Sequence, residues 1–202
     1  MIAAFTHVSK ANGFELSPER LRSVRGASKR EVIQSLVAEK YKDRIQERTN
    51  EFFKSFRESL AESYKTNGVH EVPGTSRTFD WLRSREIRIA LNTGFDRFLT
   101  DLILENVGWK LPSFQAIVCG DDVAHGRPAP DLIFKAMELS QTKDPAEVAN
   151  VGDTTLDLQS AANARVGWNI GVLSGAHKKE SMLQFPHTHL IESVASIPFL
   201  WE

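Results

Sequence analysis

Two aspartates, an arginine, a lysine and a threonine stand where each could act on a small anion. Asp153 follows the apolar run Val148-Ala149-Asn150-Val151-Gly152, and Asp157 lies one helical turn further on. That spacing can aim both carboxylates at one small volume, where they repel unless a cation lies between them. Mg²⁺ suits such an oxygen site, with few protein ligands and several waters. The same pair also reads as a helix cap at Asp153 followed by an exposed acid. Thr93-Gly94 ends another apolar run and opens a helix. Free backbone N–H groups, the positive helix end and the hydroxyl would make an anion site there, although a plain threonine N-cap is the commoner use. In Gly126-Arg127-Pro128-Ala129-Pro130 two prolines stiffen the backbone just before a helix. Arg127 is thereby held at a fixed angle, from which a guanidinium could grip phosphate or carboxylate in bidentate fashion. A surface arginine in a rigid loop fits the local sequence as well.

Lys29 occupies the first position of a capped helix, where a cation is disfavoured. In a partly dry site its pKa would fall and leave a neutral, nucleophilic amine. One more solvated charge in Lys29-Arg30-Glu31 is the plainer alternative. His177, His187 and His189 match no metal spacing and read as surface or packing residues. Cys119 lies in an apolar strand and reads as core.

These residues need elements to position them. Residues 1 to about 70 read as helical. Ser17-Pro18 is an N-cap with proline at the first helical position. Ser28-Lys29-Arg30-Glu31 fits a capping box, followed by an apolar stripe of Val32, Ile33, Leu36 and Val37. Ile45, Phe52, Phe53, Phe56 and Leu60 mark a long amphipathic helix. After Gly68–Gly74 the period changes, and strands at 87–91, 116–119, 148–151 and 169–173 alternate with helices. Alternation of this kind implies a parallel α/β sheet with helices on both faces, and ligands in such sheets bind beyond the carboxyl ends of the strands. The candidate residues of the second part trail strand ends.

The composition narrows the partners. Net charge is −1 with no long basic run, which argues against nucleic-acid or membrane binding through bulk charge. A single cysteine excludes an intrachain disulfide and fits a reducing cytoplasm. No apolar run approaches membrane-spanning length.

Leu91-Asn92-Thr93-Gly94, Gly126-Arg127-Pro128-Ala129-Pro130-Asp131 and Val151-Gly152-Asp153-Thr154-Thr155-Leu156-Asp157 occur in one order. Together they resemble the second, third and fourth motifs of the haloacid dehalogenase superfamily. Arg127 where most members use lysine resembles the phosphonatase-like branch, as do Gly26-Ala27-Ser28-Lys29, Gly175-Ala176-His177 and Pro186-His187-Thr188-His189. The resemblance implies a Rossmann-like core over residues 71–202 with a helical cap domain over 1–70. It also implies Mg²⁺ as cofactor, an aspartyl-enzyme intermediate, and a small phosphate ester or phosphonate as substrate. By position, Thr93 and Gly94 would bind the phosphoryl group, and Arg127 would orient it. Asp153 would ligate Mg²⁺ with Asp157 in support, and Lys29 would be a catalytic Schiff-base lysine. The resemblance leaves room for a homodimer formed through the cap.

Two departures stand out. The first family motif, Asp-x-x-Gly-Thr, is absent, and with it the nucleophile and the first strand of the sheet. That strand would lie between 87–91 and 148–151, so a slot of strand width, about 5 Å, is expected there, with an unstable or rearranged sheet and no turnover. In addition, Arg25 and Val32 stand where phosphonatases carry methionine and histidine. The rival expectation is a non-catalytic phosphate-binding or interaction protein derived from such a hydrolase.

Overall fold

The computed structural model describes residues 1–201. Its first third consists of four helices, α1 (Ile2–Ala11), α2 (Pro18–Ser23), α3 (Lys29–Lys40) and α4 (Ile45–Asn67). Their apolar stripes meet in one cluster, in which Phe5, Ile33, Phe52, Phe56 and Leu60 are fully buried or nearly so. Phe5 meets Phe56 edge-on, with ring centroids 5.5 Å apart, a geometry the ring quadrupoles favour. Burying each such side chain contributes about 1.5–3 kcal/mol before entropy is counted.

The remainder alternates. α5 (Thr75–Ser84) leads to β1 (Ala90–Asn92), α6 (Arg97–Val107), β2 (Ala116–Val118), α7 (Asp131–Leu139) and β3 (Ala149–Gly152). Then follow α8 (Thr155–Ala164), β4 (Trp168–Val172), α9 (Lys179–Met182) and β5 (His189–Ile191). All strand pairs are parallel: β1 with β2, β3 with β4, and β4 with β5. This is a Rossmann-like α/β core plus a helical region. Leu99 of α6, fully buried, joins the cluster of the four helices and ties the two parts together.

The observed elements differ from the expected ones in three places. The strand expected at 87–91 begins only at Ala90, because Glu86 adopts a left-handed backbone (φ 57°) and Ile87 is exposed. β5 is a strand the sequence reading did not include. At Ser28, half of the capping box forms. The Ser28 hydroxyl accepts from Glu31 N at 3.4 Å, but the Glu31 carboxylate turns away to accept Gly126 N at 2.8 Å. A charge-assisted bond to the core loop replaces the local one.

The strands form two sheets, β1-β2 and β3-β4-β5. Between the facing edges of β1 and β3 runs a cavity of about 910 Å³, lined among others by Phe79, Leu91, Asn92, Asn150, Gly152, Val172 and Ile197. The strands have not shifted to close it. No described helix is long and apolar enough to cross a membrane.

Candidate active site

A second cavity, of about 530 Å³, opens where β1 and β3 end, under the loop that joins α2 to α3. Its lining includes Arg25, Lys29, Tyr64, Asn92, Thr93, Gly94, Arg127 and Asp153. Asn92 and Asp153 line both cavities, so the slot between the sheets runs into this one.

Two glycines let the α2–α3 loop lie flat on the core. Gly26 has φ +76° and faces Thr154 so closely that a Cβ would strike the threonine side chain. At Gly94 a Cβ would stand 3.0 Å from Ala27 O. Lys29 is thereby pressed into the core and is only 4% exposed. Its Nζ donates to Ala27 O at 2.7 Å and lies 5.6 Å from the centre of the Phe95 ring. Burial, and secondarily the Arg127 charge, lowers its pKa from 10.5 to about 8. A desolvated ammonium beside a second cation loses its proton readily.

Thr93 leaves the end of β1, its N–H donating to Val118 O at 2.9 Å. The sequence reading put a helix start here; the structure puts it later. Asp96 caps α6, accepting Leu99 N at 3.1 Å, and Asp121 takes Arg97 N. The Arg97 and Leu99 N–H groups of that helix already have carboxylate partners. Thr93 lines the cavity instead from a turn in which its hydroxyl accepts Phe95 N at 3.1 Å.

Arg127 forms a buried ion pair with Asp157, their side chains 11% and 7% exposed. The Arg127 Nε is buried and has no hydrogen-bond partner. A buried donor without an acceptor costs about 1–3 kcal/mol. Both carboxylate oxygens of Asp157 are engaged within the protein. One of its oxygens takes Arg127; the other accepts Thr154 N at 2.9 Å and the Thr154 hydroxyl at 2.6 Å. Thr154 and Asp157 form the full capping box of α8, which the pattern Thr-x-x-Asp could have disclosed.

Asp153 lines the cavity. Its Oδ2 accepts Ala176 N at 2.7 Å, and its Oδ1 has no hydrogen bond among the described residues. A cavity-lining carboxylate with one oxygen free of protein partners fits Mg²⁺, which takes one or two carboxylates and fills its shell with water and substrate oxygens. Behind it His177 Nδ1 accepts Thr155 N at 3.1 Å, and burial lowers the imidazole's pKa. That bond requires the neutral ring, so His177 braces the loop and brings no charge.

Arg25, Tyr64 and Asn92 line the cavity although the sequence reading gave them no place in the site. Asn92 carried a usable signal, standing beside Thr93 at a strand end; Tyr64, on the long amphipathic helix, carried none. Cys119, Asp121 and Asp122 also cluster, away from the cavity. Asp122 there is engaged by Arg97 and Cys119 N, and burial pushes the thiol up to about 11.

An α/β core with a cavity at its strand ends that carries cationic and acidic groups agrees with what comparisons with known proteins find. The family profile for haloacid dehalogenase-like hydrolases matches residues 1–193, and the chain belongs to that family. It is similar to a phosphonoacetaldehyde hydrolase of Latilactobacillus sakei, 29% identical over 95% of this chain and 74% of the relative. One of Bacteroides fragilis is 28% identical over 94% and 74%. Among solved structures, a phosphonoacetaldehyde hydrolase-like protein from Oleispira antarctica superimposes with a TM-score of 0.82 at 19% identity, covering 98% of this chain and 83% of that one. A hydrolase from Pseudomonas syringae gives 0.81 at 21%, covering 98% and 89%.

Proposed function

We propose that this protein is the substrate-holding part of a Mg²⁺-dependent hydrolase of small phosphate esters or phosphonates, with the helical layer of residues 1–70 as its cap, and that turnover needs an attacking carboxylate seated between β1 and β3. The observation that carries the reading is that Arg127, Thr93 and Asp153 line one cavity, with Arg127 held there by its buried pair with Asp157. The Arg127 guanidinium and the Thr93 hydroxyl bind phosphoryl oxygens. Asp157 keeps the guanidinium in place and balances its charge. Asp153 holds Mg²⁺, which when bound offsets phosphoryl charge. The names of the relatives favour a phosphonate with a carbonyl, and Lys29 suits it. Its neutral amine would condense with the carbonyl, losing water, and the imine would take up the electron pair left when the P–C bond breaks.

The attacking carboxylate belongs, in this reading, to an extended strand seated between β1 and β3. Such a strand would discharge its end beside Asn92 and Asp153, where the two cavities join. Its carboxylate would attack phosphorus, the bond to the leaving group would break, and water would cleave the acyl phosphate. Phosphate binding without turnover is favoured by a separate observation: Asp153 is the single acidic side chain lining the site cavity among the described residues.

Phosphate release from a panel of phosphate esters and phosphonates, with and without Mg²⁺, separates the two. Residues 1–202 would be compared with a form extended by an apolar strand ending in aspartate. Mg²⁺-dependent release by the extended form alone is expected. Release by neither form, with phosphate still bound, would favour the binding reading; equal release by both would show that the strand is dispensable.

A further inference from the structure

We infer that Arg25 forms a second anion subsite, so that the substrate carries a carboxylate at the end opposite its phosphoryl group. The inference rests on the phosphoryl reading of Arg127 and Thr93. Arg25 lines the cavity and is half-buried. Its Nη1 donates to Ala176 O at 2.7 Å, and Ala176 N in turn holds Asp153. The guanidinium is therefore fixed at the rim of the site by a neutral acceptor. No carboxylate pairs with it among the described residues. A guanidinium has five N–H donors in a rigid fork that matches a carboxylate, and the bond to Ala176 leaves most of them for a ligand.

The charge around the cavity points the same way. Arg25, Lys29 and Arg127 face it against the single carboxylate of Asp153, and Arg127 alone has an internal counter-ion, Asp157. One phosphoryl group at Arg127 and Thr93 leaves the Arg25 side of the cavity cationic. A short chain with an anion at each end meets both, and about 530 Å³ has room for a molecule of that size. A carbonyl between the two ends would lie in the cavity that Lys29 also lines.

The test compares two ligands of matched length, 3-phosphonopropionate and propylphosphonate, by calorimetric titration of the intact protein with Mg²⁺. A charge-assisted bidentate contact should make the carboxylate-bearing ligand bind tighter by about tenfold or more. In Arg25→Met that ratio should collapse toward one, and in Arg25→Lys it should be partly kept; thermal melting checks that both variants fold. Equal affinity of the two ligands for the unsubstituted protein would overturn the second subsite and leave the phosphoryl site standing. A preference that persists in Arg25→Met would overturn the assignment to Arg25. Binding of neither ligand would overturn the phosphoryl reading and this inference with it.

Discussion

The Glu31 carboxylate in α3 accepts the backbone N–H of Gly126 in the core at 2.8 Å. Lys29 stands two residues before one partner, and Arg127 directly follows the other. This bond therefore sets the distance between the two candidate cations across the cleft. Glu31→Ala should cost about 1 kcal/mol of stability. It should also let the α2–α3 loop lift and bring the Lys29 pKa back toward 10.5 as water enters. Urea unfolding and the pH dependence of amine labelling at Lys29 check both. An unchanged Lys29 titration would show that Glu31 does not hold the loop.

Lys29 also makes a pH signature. Its folded pKa, about 8, lies below the ordinary 10.5. Between those values the unfolded chain binds more protons than the folded one, so stability rises with pH across the window from 8 to 10.5. Below 8 the burial penalty is present in full, on the order of 3 kcal/mol at 1.36 kcal/mol per unit. Lys29→Met should therefore stabilise the protein at pH 7 by about 2–3 kcal/mol, less what the lost Ala27 bond contributed. The gain should shrink as pH rises past 8. A gain that does not vary with pH would contradict a desolvated lysine.

The Arg127–Asp157 pair separates folding from binding. Removing one partner strands a buried charge and should cost about 3–5 kcal/mol. Arg127→Met should thus unfold at markedly lower urea concentration, and Arg127→Met with Asp157→Asn should recover much of the loss. Neither variant should bind phosphate as the unsubstituted protein does. A double variant that regains both stability and phosphate affinity would place the anion elsewhere.

Much of this site was legible in the sequence because Thr93, Arg127 and Asp153 each trail a strand end, and strand ends in parallel sheets converge. What was not legible is competition for partners. Thr93 lost the helix start to Asp96, three residues on, whose carboxylate is the better cap. Glu31 was drawn from its own helix end by Gly126, 95 positions away in the chain, which no local pattern reports. Asp157 was read as supporting the metal, and its part in a capping box with Thr154, three residues earlier, was not noticed. β5 was missed because His189-Leu190-Ile191 is too short to show a period. Arg25 entered the sequence reading only as a departure from the phosphonatases, since nothing in its neighbours placed it at the cavity.

The slot between β1 and β3 has its own consequence. Each facing edge carries backbone groups with no strand beside them, a template for pairing. An N-terminal extension of five or so apolar, β-branched residues should dock there in parallel. It should raise the melting temperature by several degrees and protect amides of Leu91 and Val151 from hydrogen exchange. Unchanged exchange at both residues would mean that the extension does not enter the slot.

The central claim is that Arg127, Thr93 and Asp153 form one phosphoryl site, and calorimetric titration of inorganic phosphate tests it most directly. Phosphate should bind the unsubstituted protein, and Mg²⁺ should tighten that binding. Arg127→Met with Asp157→Asn should weaken it by about tenfold or more, the worth of a charge-assisted hydrogen bond. Asp153→Asn should bind phosphate without any response to Mg²⁺. Equal phosphate affinity in all three proteins, with the same Mg²⁺ response, would contradict the account.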